Sequence, residues 1–180
     1  MKKLCIILPL ALILCFMVGC QDKEALAELE EFKAQAEVEE QNKELVKRAW
    51  EAWNKGDFEA YKEVVAPEYV WYLPSRSTKP MSREETIEFV KMLRKAFPDI
   101  SWSMEELIAT EDKVIIRFIE RGTHEGEFQG IPATGNKYET SGISIFRIEN
   151  GKIVEEREEF DVLGLMQQLG LELKPKEAEK

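Results

Sequence analysis

Apolar residues recur with two different periods in this chain, and the switch from one to the other divides it. In Glu44–Trp53, Leu45, Val46, Ala49, Trp50 and Trp53 fall at i, i+1, i+4, i+5 and i+8, one face of a helix that Gly56 ends. A second helix is predicted from Ser82. Ser82-Arg83-Glu84-Glu85 has the form of a capping box, Ile87, Val90, Leu93 and Phe97 supply a buried stripe, and Pro98 stops the helix. Beyond Pro98 the period shortens to two. Ile100–Ala109 and Lys113–Glu120 flank a polar turn, and Ile145–Glu149 and Lys152–Val154 flank Asn150-Gly151, a strong hairpin signal because both central turn positions take positive φ. Four strands in succession predict an antiparallel meander, and helices followed by strands predict an α+β fold with the helices on one side of the sheet. In the last strand Ile153, Glu155, Arg157, Glu159 and Asp161 share one face, and Lys152, Val154, Glu156, Glu158 and Phe160 the other. Neither face is wholly apolar, so the strand is expected to be solvated along part of its length, with Glu155–Glu159 a solvated charge cluster. A short helix, Val162–Leu169, follows.

The N-terminus follows another logic. Lys2 and Lys3 precede an apolar run, Leu4–Gly19, that is shorter than the roughly 20 residues of a spanning helix and has the layout of a secretory signal. It ends in Met17-Val18-Gly19-Cys20, which resembles the lipobox of bacterial lipoproteins. The expectation is a signal peptide over residues 1–19, lipidation of Cys20, and a protein held on the extracytoplasmic face of a cell membrane. Cleavage would remove Cys5 and Cys15 and leave one cysteine with no internal disulfide partner. Gln21–Gln41 is rich in Glu and Ala, and Ala25, Leu29, Phe32 and Ala36 trace a narrow apolar seam. The seam is too short for a coiled coil, and residues 20–41 read as a helical spacer. Residues 42–173 form the predicted domain, and 174–180 a disordered tail.

The whole chain has 180 residues, of which 44% are hydrophobic and 9% aromatic, enough for the core of one such domain. Its formal charge is −10, with no basic face to displace phosphate counterions, which excludes nucleic acid as a partner. A single histidine excludes a multi-histidine metal site, and no phosphate loop, paired-cysteine motif or Gly-x-Ser-x-Gly elbow is present, so no metal or cofactor is expected. What is left is acid–base work or binding. His124 is the first candidate because its ordinary pKa, about 6.5, suits proton transfer at neutral pH. The other role open to it is that of a hydrogen-bonded residue at a strand end.

Residues 121–170 (RGTHEGEFQGIPATGNKYETSGISIFRIENGKIVEEREEFDVLGLMQQLG) resemble the SnoaL-like polyketide/ester cyclase family of the nuclear-transport-factor-2-like superfamily, and the resemblance reaches back to about Asn42. It implies a curved antiparallel sheet packed against helices as a cone around a pocket. It also implies that His124 lines that pocket, and that an acidic group of raised pKa manages the proton on a substrate carbonyl. Many members carry an aspartate in a Gly-x-Asp-x-Phe-Arg segment. Here the segment is Gly142-Ile143-Ser144-Ile145-Phe146-Arg147, with Ser144 in that slot, and a serine hydroxyl is no acid at neutral pH. Tyr72 stands where members often have a histidine, and Arg157 where they have an aromatic. Tyr72 is open to a ligand hydrogen bond or a half-buried packing role, and Arg157 to a ligand carboxylate or a surface ion pair. Asp161 matches the family's residue at the end of the last strand and is open to two roles, pocket carboxylate or N-cap of the closing helix. Trp50, Trp53, Trp71, Phe89, Met92 and Phe118 are candidates for an apolar wall that favours a flat ligand.

The expected function is therefore a membrane-anchored domain that binds a small, largely apolar molecule, with cyclase- or isomerase-type proton transfer by His124 and Asp161 in a pocket shared with Tyr72, Trp53, Phe118, Ser144 and Arg157. The alternative is a non-catalytic binding or assembly module of the cell envelope, dimerising through its sheet. A third reading makes the Gln21–Gln41 spacer the functional part.

Overall fold

A computed structural model describes residues 4–172 and 174, with side chains from residue 23 onward. The expected signal segment and the expected lipidation site Cys20 lie outside the described side chains, and the tail from 175 lies outside the described residues. The chain divides into two compact units, Met1–Val38 and Glu39–Lys180. In the first, the side chains of residues 23–38 are exposed, Leu29 and Phe32 of the apolar seam included.

The second unit holds the core. The helix α1 (Leu4–Lys55) brings Val46, Ala49, Ala52 and Trp53 into it, on the face its spacing predicts. Gly56 closes α1 at φ +69: its N–H bonds Trp53 O and the Asp57 N–H bonds Ala52 O, the paired arrangement that a left-handed residue makes possible. Asp57 then caps α2 (Phe58–Val64) through Ala60 N. The strand β1 (Val65–Tyr72) follows, then the two-residue β2 (Met81–Ser82) and α3 (Arg83–Ala96), which opens on the predicted capping box with both reciprocal bonds present. The meander is β3 (Ser101–Thr110), β4 (Lys113–Thr123), β5 (Lys137–Glu149) and β6 (Lys152–Phe160), and α4 (Val162–Gln168) ends the fold. Asn150 and Gly151 take φ +51 and +70 in the β5–β6 turn, as that pair predicts.

The six strands lie in the order β2-β1-β6-β5-β4-β3. The fold is the expected α+β cone, with one difference: the sheet is mixed, because β1 runs parallel to β6, with Trp71 in register with Glu156. A period of two is the same for either direction of pairing, so the sequence pattern could not show it. The helix α3 makes this possible by carrying the chain from β2 at one edge to β3 at the other, so that the meander returns alongside β1.

The last strand departs further from expectation. A register shift between Arg147 and Ile148 puts Ile153 and Val154 both in the interior, after which Glu156 and Glu158 are buried while Glu155, Arg157 and Glu159 face outward. The supposed solvated cluster is in fact split, with two of its glutamates turned inward.

Candidate active site

Between the helices and the inner face of the sheet lies a chamber of about 450 Å³. All four tryptophans of the chain, Trp50, Trp53, Trp71 and Trp102, line it. Trp53 meets two of the others edge to face, 5.8 Å from Trp71 and 6.0 Å from Trp102 between centroids. Trp53, Phe118 and Phe89 belong to the wall, whereas Met92 packs on the core outside the lining. Gly142 stands opposite Phe118 in the β4–β5 ladder, and a Cβ there would lie 2.4 Å from the Phe118 ring, so the glycine makes room for this part of the wall.

Three glutamates interrupt the aromatic lining. Glu120 on β4 is buried and accepts two short bonds, from Trp102 Nε1 at 2.6 Å and from the Tyr138 hydroxyl at 2.6 Å. Burial raises its pKa, and these two donors pull it part of the way back. Glu156 on β6 accepts from the Tyr69 hydroxyl at 2.7 Å and from Ser144 Oγ at 2.8 Å. Ser144 Oγ lies also 3.0 Å from Glu158 Oε2. One hydroxyl proton cannot serve both carboxyls, so the second contact is a hydrogen bond only when one of the acids is itself protonated. The Tyr69 donor favours the anion at Glu156, which places the proton on Glu158. The pKa directions agree. Burial pushes both acids up, the Tyr69 and Ser144 bonds restrain Glu156, and the charge of Glu156 raises Glu158 further. Tyr69 is held neutral, its pKa raised by burial and by Glu156.

The residues put forward from the sequence are not brought together. His124 is fully buried but is not part of the chamber lining. Its ring lies 5.2 Å from that of Phe97, its Nδ1 is 3.1 Å from Thr134 Oγ1, and its backbone ties down the β4–β5 connection through Asn136 O and Gly135 N. Asp161 takes the second of its two roles: its Oδ1 accepts from Gly164 N at 2.8 Å and caps α4. Tyr72 and Arg157 pair with each other away from the lining, the guanidinium 4.0 Å over the ring, and Arg157 also bonds Glu155 and Ser75 O. Of the group His124, Asp161, Tyr72, Trp53, Phe118, Ser144 and Arg157, only Trp53 and Phe118 line the chamber, and Ser144 reaches it through the two glutamates it bridges. Sequence reasoning missed Glu120, Glu156 and Glu158. The available signal was alternation: Glu120 shares a face with Val114, Ile116 and Phe118, and Glu156 and Glu158 share one with Val154 and Phe160.

The SnoaL-like polyketide cyclase family model matches residues 43–169. The chain belongs to the SnoaL-like polyketide cyclase family. Aklanonic acid methyl ester cyclase DauD of Streptomyces sp. (strain C5) is 31% identical over 130 residues, which cover 71% of this chain and 80% of DauD. The enzyme of the same description from Streptomyces peucetius, DnrD, is also 31% identical over 130 residues, covering 71% of this chain and 89% of its own. Among solved structures, wild-type IdmH from Streptomyces antibioticus superposes with a TM-score of 0.65 at 31% identity, covering 72% of this chain and 99% of IdmH. Ser144, in the slot where the resemblance implies an aspartate, donates to Glu156 on the neighbouring strand and lies 3.0 Å from Glu158.

Proposed function

We propose that the SnoaL-like domain takes a small, largely apolar molecule into the chamber and moves a proton on it in cyclase- or isomerase-type chemistry, with Glu156 and Glu158 as base and acid. The observation that carries this is a pair of buried carboxyls, Glu156 and Glu158, bridged by the Ser144 hydroxyl on the wall of an aromatic-lined chamber. Glu156 would remove a proton from the carbon beside a carbonyl while the proton of Glu158 passes to the carbonyl oxygen, giving an enol. Return of a proton at another carbon is isomerisation, and attack of the enol carbon on a second carbonyl of the same molecule is cyclisation. The methyl ester cyclase activity named for DauD and DnrD supports this class of reaction. In this reading His124 anchors a loop and Asp161 caps a helix, and neither touches the substrate.

The test is exchange of the α-protons of ketone substrates with D₂O. Glu156→Gln and Glu158→Gln should each abolish exchange in a folded protein, while His124→Gln and Asp161→Asn keep it. Unchanged exchange in both glutamate variants overturns the assignment.

One observation favours the second reading, an assembly module. Ile108, Ile143 and Ile145 are exposed on the outer face of the sheet. Light scattering that gives a dimer, reverted to monomer by Ile145→Glu, would support it. The anchor belongs to the proposal on sequence grounds alone: Cys20 would carry lipid and hold the domain on the extracytoplasmic membrane face. Labelled palmitate incorporated by the wild-type chain and lost in Cys20→Ala is the expected outcome.

A further inference from the structure

Trp71 carries the one indole N–H that is buried without a hydrogen-bond partner among the described residues. The residue is 3% exposed and lines the chamber, its ring 5.8 Å from that of Trp53 and 5.7 Å from that of Phe89. Two other indoles of the chamber are engaged, Trp50 Nε1 donating to Trp102 O and Trp102 Nε1 to Glu120. An indole nitrogen donates and never accepts, so only an acceptor can satisfy Trp71. Burying such a donor without one is costly, and the residue faces a cavity with room to bring one in. Trp71 also stands in register with Glu156 across the β1–β6 ladder, which sets the free donor on the strand next to the acid pair.

We propose that Trp71 orients the ligand of this chamber by donating its indole N–H to a neutral acceptor oxygen on it. Charge narrows the class. With Glu120, Glu156 and Glu158 on the wall, a carboxylate ligand meets like charge, and an ammonium offers donors where an acceptor is needed. A hydrocarbon fills the aromatic wall and leaves the N–H unmet. This inference rests on the reading of the chamber as a ligand site, and its test separates the two.

The experiment titrates the full-length protein with 1-tetralone, tetralin and tetralin-1-carboxylate, following tryptophan fluorescence. The wild type should bind the ketone about 10-fold more tightly than the hydrocarbon, the difference one good hydrogen bond makes, and the carboxylate most weakly. Trp71→Phe keeps a ring on the wall and removes the donor. It should bind tetralin as the wild type does and lose the preference for tetralone. A second measurement needs no variant: the Trp71 indole N–H resonance, assigned through its contacts with Phe89, should move downfield on saturation with tetralone and stay in place with tetralin. This shift decides the matter if Trp71→Phe does not fold. Equal affinity for ketone and hydrocarbon, a preference that survives in Trp71→Phe, or an unmoved resonance overturns the role of Trp71 and leaves the chamber standing. Failure of both neutral molecules to bind overturns the chamber and this proposal together.

Discussion

The Ser144 hydroxyl carries one proton between two buried carboxyls, so both contacts are hydrogen bonds only while one of the acids is protonated. A consequence follows for stability. The pKa of each of Glu120, Glu156 and Glu158 is raised in the folded protein, first by burial. Above the ordinary carboxyl value of about 4.3 the folded chain therefore binds more protons than the unfolded one. Their contribution to stability is complete below that value and is lost as pH rises through the folded pKa. Urea unfolding should show stability falling between about pH 5 and 8, by up to about 1.4 kcal/mol per pH unit for each proton involved. Glu158→Gln should flatten the slope and be more stable than the wild type at pH 8. A wild-type profile that rises over this range would contradict the assignment. Alternation with apolar neighbours was the one signal at these positions, and for Glu156 and Glu158 it did not say which face turned inward. A glutamate between charged neighbours in Glu155–Glu159 looks the same whether its strand turns it in or out, while His124 drew attention through its side chain's intrinsic pKa and occupies a packed niche behind Phe97.

Helix ends and strand faces were legible to different degrees. The capping box of α3 was plain in Ser82-Arg83-Glu84-Glu85 because its partners lie within one turn of chain. Ser82→Ala should cost about 1 kcal/mol, seen as a lower urea midpoint with an unchanged slope. The inward face of β6 was not legible, because the register shift at Arg147/Ile148 that turns it depends on pairing with β5. Gly142 belongs to this same level. Its lack of a side chain is meaningful only once Phe118 lies across from it, and Gly142→Ala would force that ring or the neighbouring Glu159 carbonyl to move. We expect a loss of about 1–3 kcal/mol from overpacking, together with weakened ligand binding as Phe118 is pushed into the chamber. Calorimetry and the fluorescence titration measure the two effects.

The chamber, the acid pair and the aromatic wall all lie within Glu39–Lys180, and the described side chains of the first unit before Val38 are exposed. A chain lacking residues 1–38 should therefore fold with a Tm within about 2 °C of the full-length protein, since changes at exposed positions seldom exceed about 0.5 kcal/mol. A larger fall would show that the spacer stabilises the domain. Local chemistry and periodicity were enough to establish the helix faces, the caps, the Asn150-Gly151 hairpin, the α+β class and, through resemblance, the SnoaL-like cone. These depend on residues a few positions apart, whose geometry the backbone enforces. The parallel seating of β1 on β6, the inward turn of Glu156 and Glu158, the unmet N–H of Trp71 and the retreat of His124 behind Phe97 join residues from distant segments. Burial and partnership at such places arise from packing across the fold, which periodicity along the chain does not by itself decide.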